Sequence, residues 1–211
     1  MWGNRMKKFD LYVSSVLAGM LIGIAGTLYI ASGKAFFGAV LFTVALFSIC
    51  TRGMGLFTGR VGYLWKQSDK SSYLTELAVI WLGNLTGCIL LGAIMRYTKP
   101  MYVEMAVQVT HAKLEQTPLQ TFLLAVLCGM LMFIAVDHFR TWQGDFGRFV
   151  GMLFCVPAFI VAGFEHVVAD MFYFALGLSW EQLRQAALFL MICSLGNSVG
   201  AWLIPWGEKK A

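Results

Sequence analysis

The sequence predicts an all-α membrane protein of six transmembrane spans, arranged as two inverted three-span repeats whose second and fifth helices are broken. Three observations carry this. First, 59% of the 211 residues are hydrophobic and only 13% are charged, with a mean hydropathy of +0.71. A water-soluble domain cannot hide that much apolar surface. Second, Leu82-Gly-Asn-Leu-Thr-Gly87 recurs as Leu195-Gly-Asn-Ser-Val-Gly200, 113 positions later. Third, Glu165, His166 and Asp170 stand inside a run that is otherwise apolar, and ionisable groups at such depth line a polar path or pair with one another.

Taken in order, the spans fall at about 11–31, 35–64, 73–97, 119–139, 149–178 and 185–206. The second and fifth exceed the length of a simple crossing, and each holds its excess in an interrupted middle. In the second, Gly53-Met-Gly-Leu-Phe-Thr-Gly59 has three glycines in seven residues, which favours a loop, with a half-helix starting after Thr58. In the fifth, Pro157 and Gly163 allow a break, so that two half-helices meet near the bilayer midplane with His166 at their junction. The first span carries no small-residue cleavage signature and five more follow it, so it is expected to be retained. The five cysteines all lie in apolar runs and read as packing residues.

The net charge of +5 resides in the connections. It is expected to reflect the positive-inside rule and not a nucleic-acid partner. Arg5, Lys7, Lys8, Arg60, Lys66, Lys70, Arg140, Arg148, Lys209 and Lys210 collect on one side; Lys34, Arg96, Lys99, Lys113 and Arg184 collect on the other. Ten against five places both termini in the cytoplasm. The connection at about 98–118 is then external, and its polar mixture suits a solvated surface segment. The whole chain, 1–211, reads as a single transmembrane domain, with one repeat at about 11–97 and the other at about 119–206.

The broken second span has its counterpart in the fifth, Thr58 and His166 being 108 positions apart. Near-equal offsets for two landmarks argue for duplication, and three spans per unit force the halves into opposite orientations. Such halves place their broken helices face to face, so Thr58 is expected to face His166. Half-helices starting at the two breaks would aim their N-terminal amides at the midplane, a ready anion site. In Gly-Asn-x-x-Gly the glycines permit close helix approach, and Asn84 and Asn197 are expected to tie down carbonyls freed by the breaks.

Leu56-Phe-Thr58, Gly163-Phe-Glu-His166 followed by Ala169 and Met171-Phe172, and the paired Gly-Asn-x-x-Gly strings resemble the formate/nitrite transporter family over nearly the whole chain. The resemblance implies an aquaporin-like arrangement and a homopentamer in which each protomer holds its own pore. It implies transport of small monovalent weak-acid anions, of the formate, nitrite or hydrosulfide class. It places the family's central histidine at His166, its loop threonine at Thr58, and its hydrophobic constrictions at Phe42, Leu46, Leu56, Phe57 and Phe159. This sequence departs at Phe133 and at Thr117, where the family favours asparagine and lysine; Lys113 stands four residues early. Asp170 replaces the usual asparagine, and Arg52 a small residue. Asp170 is expected to favour the imidazolium of His166, and Arg52 and Asp170 are expected to form a buried pair.

The mechanism implied is attraction of the anion, protonation near His166, orientation by Thr58, and passage of the neutral acid through the apolar constrictions, with Glu165 holding the histidine or relaying a proton. The partners expected are therefore the anion or its conjugate acid, protons, lipid, and further copies of the chain. No cofactor or metal is called for, and no nucleophile accompanies the Glu165/His166 pair as an intramembrane enzyme would require. A neutral-solute pore of aquaporin shape or a non-transporting scaffold are the alternatives; the sequence contains no Asn-Pro-Ala box. The expected location is the prokaryotic inner membrane.

Overall fold

The computed structural model describes residues 7–208. Among these the structure is helical throughout, without strands: α1 Lys8–Ala31, α2 Phe36–Thr51, α3 Phe57–Arg60, α4 Lys70–Thr98, α5 Met101–Leu114, α6 Pro118–Thr141, α7 Asp145–Val161, α8 Val167–Gly177 and α9 Leu183–Glu208. A 3-10 segment, Val61–Lys66, continues α3, and a short one, Trp180–Gln182, precedes α9. Among the described residues four helices are long and apolar enough to cross a membrane: those of α1, α4, α6 and α9. The other apolar helices are shorter and come in consecutive pairs, α2 with α3 and α7 with α8.

Each pair is separated by the same local device. α2 ends where Gly53 takes φ +66 and α7 where Gly163 takes φ +70, a left-handed conformation that only glycine adopts without strain. The following bonds are those of a Schellman ending: Gly53 N to Cys50 O and Met54 N to Ile49 O, then Gly163 N to Ile160 O and Phe164 N to Phe159 O. Pro157 plays no part in the break. It lies inside α7, which runs on to Val161, so glycine rather than proline stops the helix. The first loop also closes earlier than its glycine content suggests, because α3 begins at Phe57 and includes Thr58.

Helices α1 and α4 pack together, as do α6 and α9. The approach is close enough to exclude any side chain: a Cβ at Gly87 would lie 2.0 Å from Val16 O, and one at Gly200 would lie 2.0 Å from Val126 O. α2 packs on α7, while α8 is embedded between α1, α4, α5 and α9.

The segment after α4 differs from the solvated connection expected. It forms α5, whose Ala106, Thr110 and Leu114 are buried at a spacing of four, one helical stripe. Gly177 of α8 accepts the Ala106 backbone at close range, and Thr110 Oγ1 donates to Tyr173 O at 3.2 Å. The stripe was hidden by the polar residues Gln108, His111 and Lys113 between its members.

Candidate functional site

The site is built from the two breaks. Leu56 (φ −118, ψ 124) and His166 (φ −108, ψ 106) hold corresponding positions, each extended and immediately before a half-helix. An asparagine from a neighbouring helix holds each. Asn84 Oδ1 accepts Phe57 N at 3.0 Å, and its Nδ2 donates to Ser15 O and Gly55 O, both at 2.8 Å. Asn197 Oδ1 accepts Val167 N at 3.0 Å, and its Nδ2 donates to Ala125 O and Glu165 O, both at 2.8 Å. Every hydrogen of both amides is used within the protein. The leading amide of each half-helix is likewise taken, and Ala169 N donates to His166 Nδ1 at 3.2 Å. The expected anion site made from the N-terminal amides is thus partly filled by side chains, at Phe57 N in α3 and at Val167 N and Ala169 N in α8.

His166 lies 2% exposed, with Nε2 2.8 Å from Thr58 Oγ1. A backbone N–H can only donate, so Nδ1 is the acceptor and the proton of the neutral ring is on Nε2. That proton is given to Thr58 Oγ1, and the threonine's own hydrogen has no other partner among the described residues. An imidazolium would set an Nδ1–H against the Ala169 N–H. The bonding therefore opposes the imidazolium that a nearby Asp170 was expected to favour.

Apolar rings close over this pair. Phe159 stacks on the imidazole with centroids 5.6 Å apart and planes 26° apart, and Phe42 meets Phe159 edge-on at 6.4 Å. Leu46, Leu56 and Phe57 are buried in the same core. All five residues expected at constrictions are therefore buried in the apolar core, and two of them, Phe159 and Phe42, form the rings over His166.

The acidic neighbours turn away from His166 and toward α5. Glu165 (2% exposed) and Asp170 (1%) both meet Lys113, whose Nζ bonds Glu165 Oε2 and lies 2.8 Å from Asp170 Oδ1. Gln116 Nε2 donates to Glu165 Oε1 at 2.7 Å, and Thr121 Oγ1 donates to Gln116 Oε1 at 3.2 Å. The Cys193 thiol donates to Asp170 Oδ2 at 3.3 Å.

Arg52 is not the partner of Asp170. It caps the C-terminus of α2 and is exposed, while Asp170 is paired within the core. Lys113, Gln116 and Cys193 are the residues that sequence reasoning undervalued. For Lys113 a signal existed: at three residues after Thr110 it falls on the buried stripe of α5. At the two departures noted above, Phe133 packs its ring 5.4 Å from that of Tyr63, and Thr117 caps α6 in a capping box with Gln120.

A family model described as "Formate/nitrite transporter" matches residues 4–207. Among curated proteins the chain is 27% identical to the "Uncharacterized transporter YwcJ" of Bacillus subtilis (strain 168), over 94% of this chain and 88% of the relative. It is also 27% identical to the "Nitrite transporter NirC" of Escherichia coli (strain K12), over 80% of this chain and 68% of the relative. A solved chain described as "FNT family ion channel" superposes with a TM-score of 0.85 at 24% identity, covering 95% of this chain and 90% of that one. Another, described as "Pentameric formate channel with formate bound", superposes with a TM-score of 0.81 at 23% identity, covering 96% of each. These superpositions establish the fold, and the relatives are transporters and channels, not enzymes. The chain belongs to the formate/nitrite transporter family.

Proposed function

We propose that this protein carries a small monovalent weak-acid anion, of the formate, nitrite or hydrosulfide class, across a membrane through a path that passes His166 and Thr58. The observation that carries the reading is the bond from His166 to Thr58 at the junction of two broken helices, beneath stacked apolar rings. A bare anion in such surroundings faces a desolvation penalty of the order of tens of kcal/mol. A neutral acid does not. The anion becomes protonated near His166 and is oriented by the Thr58 hydroxyl, whose hydrogen is left free by the direction of the histidine bond. Phe42, Leu46, Leu56, Phe57 and Phe159 then admit the acid and refuse the ion. Asn84 and Asn197 hold the breaks open without touching substrate.

In this reading the single transmembrane domain crosses the membrane six times, by α1, α2 with α3, α4, α6, α7 with α8, and α9. Two three-span halves, about 11–97 and 119–206, lie in opposite orientation, which is supported by the recurrence of the glycine breaks and asparagine clamps. Both termini are cytoplasmic, in a prokaryotic inner membrane, and α5 lies on the outer side. The chain assembles as a homopentamer like the formate channel it resembles in fold.

Proteoliposome uptake of formate, nitrite, hydrosulfide, lactate and glycerol tests this. Thr58→Val, which removes one donor to a charged or nearly charged oxygen, is expected to slow anion uptake about ten- to a hundredfold, the equivalent of about 1.5–3 kcal/mol. Glycerol should not pass in any variant. A folded His166→Ala protein that moves the anions with unaltered rate and pH profile would remove the reading, and rapid glycerol entry would favour a neutral-solute pore instead.

A further inference from the structure

Three ionisable groups meet on and around the residues that flank His166, and they do not balance. Lys113 holds both Glu165 Oε2 and Asp170 Oδ1, so the two carboxyl groups lie no farther apart than two hydrogen-bond lengths, with a single ammonium between them. The groups facing this cluster from the packed elements are Gln116 after α5, Cys128 of α6, Tyr173 and His166 at α8, Cys193 of α9 and Tyr29 of α1. None supplies a second positive charge, and His166 Nδ1 is already committed as an acceptor. Fully ionised, the cluster would carry one net negative charge at membrane depth, which costs several kcal/mol. It would also repel the anions that the path is meant to admit. Two carboxyl groups forced into one site relieve this when the pair keeps one proton, so that only one of them is ionised at a time.

We propose that the Lys113–Glu165–Asp170 cluster stores one exchangeable proton, shared by its two carboxyl groups, and gives that proton to the entering anion. This rests on the weak-acid reading above and names the donor in it. His166 is poorly suited to that role, because surrendering the Nε2 proton would leave an imidazolate. In the step, a carboxyl O–H bond breaks and an O–H bond forms on formate or nitrite, or an S–H bond on hydrosulfide. The neutral acid moves on toward the apolar rings, and the cluster is left with one negative charge. Outer water then returns a proton. Lys113 is the cluster's most exposed member, with 15% of its side chain accessible. A groove of about 450 Å³, lined by Glu115, Gln116 and Gln120 together with Leu123 and Leu124, opens at Gln116, one hydrogen bond from Glu165.

Two readouts test this on the purified full chain in lipid, with Asp170→Asn as the main variant. Infrared spectra at neutral pH should contain the carbonyl stretch of a protonated carboxylic acid, lost in Asp170→Asn. Because the proton is shared, Glu165→Gln should lose it too, which keeps the test decisive if one variant assembles poorly. Formate uptake by Asp170→Asn should fall about tenfold per pH unit on the alkaline side, following the neutral acid left in solution. Wild-type uptake should fall more gently, and the two should converge in acid. A missing band, a band unchanged in both variants, or parallel pH profiles would overturn the proposal. A wild-type protein that moves no weak-acid anion overturns the transport reading and the transfer step with it, whereas a missing band with transport intact overturns the stored proton alone.

Discussion

Lys113→Met is expected to lose most of its folded protein at neutral pH, with a destabilisation of about 3–5 kcal/mol, the usual consequence of removing one partner from a buried ion pair. Glu165 and Asp170 would remain almost wholly buried with no cation, kept only by Gln116 and the Cys193 thiol. Acidification should restore part of the loss, because protonating the carboxyl groups removes the uncompensated charge. Lys113→Met/Asp170→Asn should likewise recover stability, leaving Glu165 with its Gln116 donor. Thermal unfolding followed by size-exclusion chromatography in detergent reads all of these. A Lys113→Met protein that melts as the wild type does at neutral pH would show that the cluster contributes little to holding α5 on α8.

The second large effect is expected at Asn197. Truncation to alanine orphans Val167 N and takes one donor each from Ala125 O and Glu165 O. The two carbonyls keep only a bond within α6 and the weak Cys193 thiol contact, respectively. An orphaned buried group costs about 1–3 kcal/mol. With the two weakened carbonyls and the lost packing, a loss of about 2–3 kcal/mol follows. Asn84→Ala removes an equivalent set at Phe57 N, Ser15 O and Gly55 O, so the two variants should melt at similar temperatures. Their transport should differ. Asn197 fixes the residues on both sides of His166, and its loss releases the imidazole from Thr58. Asn84 fixes a break whose equivalent position is Leu56. Equal transport losses, or an Asn197→Ala protein as stable as wild type, would contradict this account of the clamps.

The parts of this architecture that repeat were legible in the chain. Gly53 and Gly163, Asn84 and Asn197, and the matched glycines Gly87 and Gly200 are local signals, because a helix end or a close helix approach needs a particular residue at a particular place. Thr58 was expected to face His166 from their spacing in the chain, and the contact is a direct 2.8 Å hydrogen bond, although the position that corresponds to His166 is Leu56. What escaped was set by contacts over long sequence distances. Lys113 reaches Glu165 across 52 positions, and nothing in the residues near Asp170 favours Lys113 over Arg52 as its partner. Helix α5 was obscured because its buried stripe is narrow and its exposed face carries Glu104, Gln108 and His111. Pro157 misled for a physical reason. A proline weakens a helix by removing one hydrogen bond, but a chain stops where a glycine can turn left-handed and cap the free carbonyls. The protonation preference of His166 depended on the Ala169 amide, a bond that exists only once α8 has formed.

The central claim is that the solute crosses the apolar rings as a neutral acid. Formate uptake into proteoliposomes under an imposed membrane potential, with lumenal pH recorded in parallel, tests it most directly. Neutral passage predicts an initial rate independent of the sign of the potential, with the lumen acidified as each formate arrives with its proton. An uptake rate that rises with an inside-positive potential, without acidification, would mean that the bare anion crosses and would contradict the claim.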